Sequence, residues 1–168
     1  MAADLQGDPV VGAEGIMTTD THPKALSTSV GATTITWVAK GSGMIEPNMA
    51  TMLAYIFTDA AFDPVTLDRL LRDAVAVSFN MLSVDTDTST SDTCVILANG
   101  KAGSVDEGAF RDALIAGCVR MTEILARDGE GAQHLLRVTV REAVSDAEAR
   151  YVAKSIVNSP LIKTMVHG

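Results

Sequence analysis

Residues 51–58 read TMLAYIFT, a run in which only the threonine at each end and Tyr55 carry polar groups. A strand that is apolar on both faces is typical of a sheet that is covered on both sides, so this run predicts a buried central strand. Residues 33–39, TTITWVA, are mostly β-branched or aromatic and predict a second strand, which the turn residues KGSG end. The two strands flank a loop, residues 43–50, that contains glycine and proline.

The rest of the chain predicts that helices alternate with further strands. Four helices are predicted from their capping residues, which are Asp63-Pro64, Asp106, the capping-box pair Ser145 and Glu148, and Ser159-Pro160. Residues 93–100 form an apolar run closed by a turn, and residues 134–143 alternate apolar with polar side chains, so both predict strands. This interleaving predicts a mixed α/β fold in a single domain, residues 1–168, with helices packed on sheets.

The composition excludes several classes of partner and site. With 13 basic and 21 acidic residues among 168, the chain has a net charge of −8, and an acidic surface repels nucleic acid. The N-terminus lacks the basic start of a secretory signal, and no apolar run reaches the ~20 residues of a membrane span. Cys94 and Cys118 lie in apolar stretches without a second Cys or a His at metal-ligand spacing. They predict two buried free thiols, a reducing cytoplasm and no metal site.

Residues 83–93, SVDTDTSTSDT, hold a dense run of hydroxyls and carboxylates. Asp85, Asp87 and Ser89 alternate like the opening of a calcium loop, but the sixth position lacks glycine and the twelfth lacks an acid, which excludes that reading. The run is either a polar loop or the wall of a polar pocket. Glu130 lies between two glycines in the run RDGEGA, which is typical of a turn or of a place where a ligand approaches the backbone.

Thr51 begins an apolar strand directly after the small residue Ala50 and a Gly/Pro segment. One interpretation is an ordinary turn into a strand, and the other is an N-terminal nucleophile released by breaking the Ala50–Thr51 bond. In that case the Thr51 hydroxyl attacks the preceding carbonyl, and the freed α-amino group, with a pKa near ~8, is the base for the same hydroxyl. No histidine is then needed, and His22, His134 and His167 match no triad or ligand spacing.

Five sequence blocks carry a resemblance to a known family. They are IMTTDT at residues 16–21, AKGSGMIEPNMATML at 39–53, VDTDTSTSDT at 84–93, DGEGA at 128–132 and NSPLIKT at 158–164. In this order and spacing they resemble the ornithine acetyltransferases, also called glutamate N-acetyltransferases, of arginine biosynthesis. The resemblance implies a layered helix–sheet–sheet–helix fold of the N-terminal-nucleophile type, of which this chain supplies the middle.

The resemblance also implies a reaction. The chain would cleave itself at Ala50–Thr51 into residues 1–50 and residues 51–168, which stay associated and in the family form a heterotetramer. Thr51 would then take the acetyl group from N-acetylornithine and pass it to glutamate in a ping-pong reaction, without coenzyme A or another cofactor.

The family's substrate contacts fall, by motif, on Thr18, Lys40, Thr51 and Glu130. Such roles are chemically reasonable for amino-acid substrates. Lys40 can pair with a carboxylate, Glu130 can pair with an ammonium group or steer the Thr51 amine, and Thr18 supplies a hydroxyl.

Two departures from the family pattern bear on the function. Thr86 and Ser91 replace the commoner Gly and Asn, a version that resembles paralogues from clavulanic-acid gene clusters, so the acceptor can differ from glutamate. Family members also extend beyond both ends of this chain, and their upstream part carries a Thr-Gly pair that supplies an oxyanion hole. Two alternatives to the acetyltransferase therefore stay open. One is an N-terminal-nucleophile amidohydrolase with water as acceptor, and the other is an inactive or split fragment.

Overall fold

A computed structural model describes residues 7–45, 52–87 and 91–168. Its elements in chain order are helix α1 Pro9–Ile16, strands β1 Lys24–Val30, β2 Thr33–Lys40 and β3 Leu53–Ala60, helix α2 Pro64–Ala76, a 3-10 helix Phe79–Met81, strand β4 Thr93–Gly103, and helices α3 Glu107–Arg127, α4 Asp146–Val157 and α5 Pro160–His167. The strands form one sheet in the order β1-β2-β3-β4. Strand β2 is antiparallel to both of its neighbours, β1 and β3, and β4 is parallel to β3. The predicted mixed α/β fold is confirmed.

The core lies between one face of the sheet and helices α2 and α3. Every second residue of β2 and β3 is buried there, as the two-residue period of a strand requires. Helix α3 contributes Phe110, Leu114, Cys118, Met121 and Leu125, all fully buried. The helix approaches the sheet closely at Gly117, because a Cβ at this position would lie 2.2 Å from the Trp37 ring. Trp37 Nε1 also donates a hydrogen bond to Cys118 Sγ at 3.4 Å.

The opposite face of the sheet carries both polar and apolar side chains and is only partly covered by the described residues. Helix α1 contacts β1 and β2, and Val38 is buried at that end. Further along the same face, the register partners Phe57 and Leu97 are 42% and 52% exposed. The described residues thus form one sheet of the layered arrangement and leave much of its second face open.

Most of the predicted elements are confirmed together with their caps. The side chains of Asp63, Asp106, Ser145 and Ser159 each accept a hydrogen bond from a first-turn backbone N–H of the helix that follows. Both cysteines are free. Burial raises the pKa of the Cys94 thiol to about 12, with a further contribution from Cys118, and raises that of Cys118 to about 11.

The strand predicted at residues 134–143 is wrong, because this segment contains neither a strand nor a helix. Alternation alone does not make a strand when no neighbouring backbone edge pairs with it. Instead the segment lies near the C-terminal end of α3, with which it shares an ion pair and the lining of a cavity. The Arg137 guanidinium pairs with the Glu123 carboxylate, while Leu136 and Val138 line a cavity of about 680 Å³.

The sequence also left three elements unpredicted, namely α1, β1 and the 3-10 helix. Strand β1 reads KALSTSV, whose hydroxyl-rich second half gives no clear period. Ser78 lies just beyond the end of α2, where its hydroxyl donates a hydrogen bond to the Ala74 carbonyl. Within the described ranges, no helix combines the length and the hydropathy needed to cross a membrane.

Candidate active site

Lys40 and Thr18 meet at the end of β2. The Lys40 side chain is almost fully buried, and its Nζ donates a hydrogen bond to Thr18 Oγ1 at 2.9 Å. Thr18 itself is exposed and follows α1, which ends at Ile16. Two of the residues predicted to contact substrate are thus in direct contact, because the chain leaving α1 crosses the end of β2.

Glu130 reaches the same segment from another direction. It follows the C-terminus of α3, and its backbone N–H donates to the Ser42 carbonyl at 2.7 Å. Its carboxylate lies against Gly43, where a Cβ would be 2.7 Å from the carboxyl carbon. A glycine is therefore required at residue 43 for this approach. The Ser42 hydroxyl is in turn 2.6 Å from Thr19 Oγ1, which links the segment back to Thr18.

A buried ionic cluster lies beneath these residues and consists of Asp20, Lys24 and Asp128. Lys24 Nζ is 2.5 Å from Asp20 Oδ1 and 2.5 Å from Asp128 Oδ2. The Lys24 side chain is completely inaccessible to solvent, and the two carboxylates nearly so. Charged groups at such depth are found in proteins almost only where they are paired.

The two carboxyls of this cluster have pKa values below the usual value near 3.8. Burial is the largest influence on each and raises the pKa. For Asp20 it is outweighed by hydrogen bonds from the Gly41 N–H and the Lys24 ammonium, and for Asp128 by those from Lys24 and Thr21. Both carboxyls are ionised at neutral pH, so the cluster holds one positive and two negative charges.

Thr51 and the predicted cleavage position Ala50–Thr51 lie outside the described residues, but both flanks are described. On one side the Asp85 carboxylate accepts hydrogen bonds from the backbone N–H groups of Met44 and Ile45. On the other side Asp92 Oδ1 accepts from the Met52 N–H at 2.7 Å, and burial, only partly offset by this bond, raises the Asp92 pKa. The described part of the polar run before β4, residues 83–87 and 91–92, is thus loop whose carboxylates hold backbone on both sides of the predicted cleavage position.

Sequence reasoning identified Thr18, Lys40 and Glu130 but missed the acids around them. Nothing in the sequence marked Asp20 and Lys24 as partners, because the strand that begins at Lys24 was itself not predicted. No group of three or more histidine, cysteine or carboxylate side chains in the described parts of the chain could hold a metal ion.

Comparisons with known proteins identify the family of the chain. The ArgJ family model matches residues 2–168. The chain is 53% identical over 156 residues to the glutamate N-acetyltransferase Oat2 of Streptomyces clavuligerus, covering 93% of this chain and 40% of that protein. It is also 53% identical over 156 residues to the arginine biosynthesis bifunctional protein ArgJ of Rhodococcoides fascians, covering 93% of this chain and 39% of that one.

A solved structure is similar as well. The crystal structure of the arginine biosynthesis bifunctional protein ArgJ from Bacillus halodurans has a TM-score of 0.68 and 41% sequence identity, covering 70% of this chain and 59% of that chain. The chain spans about two fifths, 40% and 39%, of the length of the two curated relatives. The match over residues 2–168 and the similarity to the solved structure make this chain a member of the ArgJ family.

Proposed function

We propose that this chain is the central part of an acetyltransferase that moves the acetyl group of N-acetylornithine to glutamate, a step of arginine biosynthesis in the cytoplasm, with Thr51 as the nucleophile. The observation that carries the proposal is the meeting of Thr18, Lys40 and Glu130 at residues 40–43, the segment that leads towards Thr51. The names of the relatives support the reaction type.

The charges of these residues suit an amino-acid substrate. Lys40 is buried and donates to a hydroxyl, and no ion pair joins it to a carboxylate of the described residues. A buried ammonium group that pairs with no carboxylate among the described residues favours an anionic ligand, so Lys40 would bind a substrate carboxylate. Glu130 is exposed and carries the opposite charge, which suits an ammonium group of the substrate or the α-amine of Thr51.

The chemistry begins with cleavage of the chain. The Thr51 hydroxyl attacks the Ala50 carbonyl, the peptide nitrogen leaves as the Thr51 α-amine, and water hydrolyses the resulting ester to give a carboxylate on Ala50. Residues 1–50 and 51–168 then stay associated, in a heterotetramer with further copies. The free α-amine has a pKa near ~8, so a useful fraction is neutral at physiological pH and can serve as a base.

Acetyl transfer reuses the same two groups. The Thr51 hydroxyl gives its proton to the α-amine and attacks the acetyl carbonyl, and ornithine leaves after receiving that proton on its own nitrogen. The acetyl ester on Thr51 is then attacked by the amino group of glutamate, which regenerates the hydroxyl and releases N-acetylglutamate. The ester must meet this acceptor before water, so the site must exclude water while the ester exists.

Intact-mass analysis of the purified chain tests the proposal. We expect two polypeptides, residues 1–50 and 51–168, and an acetyl adduct on Thr51 when N-acetylornithine is added. A Thr51→Ala variant should show neither, whereas Thr28→Ala, an exposed threonine of β1, should behave like the parent. A parent chain that stays whole, or a Thr51→Ala variant that is cleaved, would contradict the proposal.

The fate of the adduct distinguishes the acceptors. Loss of the acetyl group only when glutamate is added supports the acetyltransferase, and loss at one rate with or without amino acids indicates the amidohydrolase. Other amino acids should be tried as acceptors in the same assay, because the chain is as similar to Oat2 as to the Rhodococcoides fascians protein.

A further inference from the structure

We propose that Lys24 is a positioning residue for the substrate site. It binds together the three chain segments that carry Thr18, Lys40 and Glu130, although it touches none of these residues in the contacts described above. The inference rests on the proposed function for its catalytic consequences, but its structural part can be tested on its own.

Each carboxylate in the Lys24 cluster binds backbone N–H groups of the segments that form the site. Asp20 accepts a hydrogen bond from the Gly41 N–H at 2.6 Å through the oxygen that binds Lys24, and one from the Thr18 N–H at 3.2 Å through the other. Gly41 directly follows Lys40. Asp20 therefore fixes the backbone on both sides of the Thr18–Lys40 hydrogen bond.

The segment that carries Glu130 is held by Asp128. Asp128 ends α3, and its carboxylate accepts hydrogen bonds from both the N–H, at 3.0 Å, and the hydroxyl of Thr21. The end of α3 is thus joined to the chain that leads from Thr18 to β1. Glu130 lies two residues further on, where its own N–H binds the Ser42 carbonyl.

The Lys24 ammonium group allows the Asp20 and Asp128 carboxylates to lie close together. Two ionised carboxylates so close together would repel each other, and the ammonium group between them, 2.5 Å from each, cancels that repulsion. Without it, Asp20 and Asp128 would separate or take up a proton, and either change would shift the segments they hold. Misplacement of reacting groups by about 1 Å can lower a rate about 10²-fold.

If the Lys24 cluster only stabilised the fold, neutral side chains could replace its three charged ones. Replacing a whole buried ion cluster by neutral side chains of similar shape is often neutral for stability, whereas removing one member is strongly destabilising. The neutral triple variant Asp20→Asn/Lys24→Met/Asp128→Asn therefore separates stability from positioning. We expect it to have about the urea midpoint of the parent, while Lys24→Met alone unfolds at lower urea.

Positioning is read from amide hydrogen exchange at Gly41 and Glu130 in the full chain. In the triple variant we expect exchange at these two amides to be faster by about tenfold, and, with N-acetylornithine, a KM raised by about tenfold or more. Arg72→Met, which breaks an exposed ion pair with Asp68 on α2, is the control and should change neither.

Asp128→Asn is measured in parallel, because it keeps an acceptor oxygen and one carboxylate for Lys24 and so should fold even if the triple variant does not. Faster exchange at Glu130 in this variant, by about threefold or more, supports the proposal. Parent-like exchange at Gly41 and Glu130 in the folded variants overturns it. An inactive parent would contradict the proposed function instead, since the exchange measurement does not depend on activity.

Discussion

Gly43 has no side chain at the point where the Glu130 carboxylate lies against the backbone, and a Cβ there would be within 2.9 Å of all three atoms of the carboxylate group. Contacts between heavy atoms at that distance are not tolerated, so a side chain at residue 43 must push Glu130 away. At the scale of single residues, the position of Glu130 thus depends on the missing side chain of Gly43 as much as on the hydrogen bond from the Glu130 N–H to Ser42.

Gly43→Ala should therefore displace Glu130 and weaken substrate binding. We expect a KM for N-acetylornithine raised by about tenfold and faster amide exchange at Glu130, whose hydrogen bond to Ser42 depends on the same approach. Gly12→Ala is the matched control, because a Cβ at residue 12 of α1 would meet nothing within 4 Å. Parent values for both measurements in Gly43→Ala would refute this account of Glu130.

At the scale of elements, the loop residues 83–87 and 91–92 contact both flanks of the predicted cleavage position. Asp85 accepts hydrogen bonds from Met44 and Ile45, the Val84 N–H donates to the Ile45 carbonyl, and Asp92 accepts from Met52. Met44 has a φ of +54°, a conformation that a non-glycine residue rarely adopts without such support. The loop therefore holds the backbone before and after residues 46–51 in a defined conformation.

Asp85→Ala should release the first of these flanks. Hydrogen bonds to a charged acceptor contribute about 1.5–3 kcal/mol, so we expect amide exchange at Met44 and Ile45 to be faster by about tenfold or more, with slower cleavage at Ala50–Thr51. Asp87→Ala, an exposed carboxylate of the same loop, is the control. Unchanged exchange at Met44 and Ile45 would show that Asp85 does not hold the segment.

Local signals in the sequence predicted the elements well where one residue type decides the outcome. Asp63 and Asp106 cap α2 and α3 as expected, because a cap depends only on the residues of the first turn. Residues 134–143 alternate like a strand but pair with no strand in the described parts of the chain. Whether a partner strand lies beside a segment depends on the whole fold. The pairing of β1 with β2 is likewise a tertiary fact, which the mixed sequence KALSTSV does not reveal.

The same difference between local signals and tertiary contacts applies to the candidate site. The resemblance supplied Thr18, Lys40 and Glu130 through short motifs, and the structure brings these three to one segment. The Lys24 cluster could not be predicted, because Lys24 and Asp128 are 104 positions apart and only the docking of α3 beside β1 joins them. Nothing in the sequence near either residue indicates that the other is its partner.

At the scale of the whole molecule, the Lys24 cluster ties the folding free energy to pH. Asp20 and Asp128 have folded pKa values below their usual value near 3.8, so the unfolded chain binds more protons than the folded chain as the pH falls through this range. The stability that the two carboxylates contribute is complete above about pH 5 and is lost progressively below about pH 4. Asp92 acts in the opposite direction, because its raised pKa makes protonation easier in the folded state.

We therefore expect the urea midpoint of the parent to fall steeply between about pH 5 and pH 3, since three carboxyl pKa values are lowered, including that of the exposed helix cap Asp63, and only that of Asp92 is raised. Asp20→Asn/Lys24→Met/Asp128→Asn removes two of these three lowered groups, so its midpoint should depend less on pH over the same range. Because its midpoint is expected to equal that of the parent at neutral pH, it should lie above that of the parent in acid. Asp87→Asn serves as the control for removing a single exposed carboxylate and should follow the parent. If instead the triple variant loses stability in acid as steeply as the parent, the carboxylates that sense acid lie elsewhere, and the charge of the Lys24 cluster does not govern the stability of the fold.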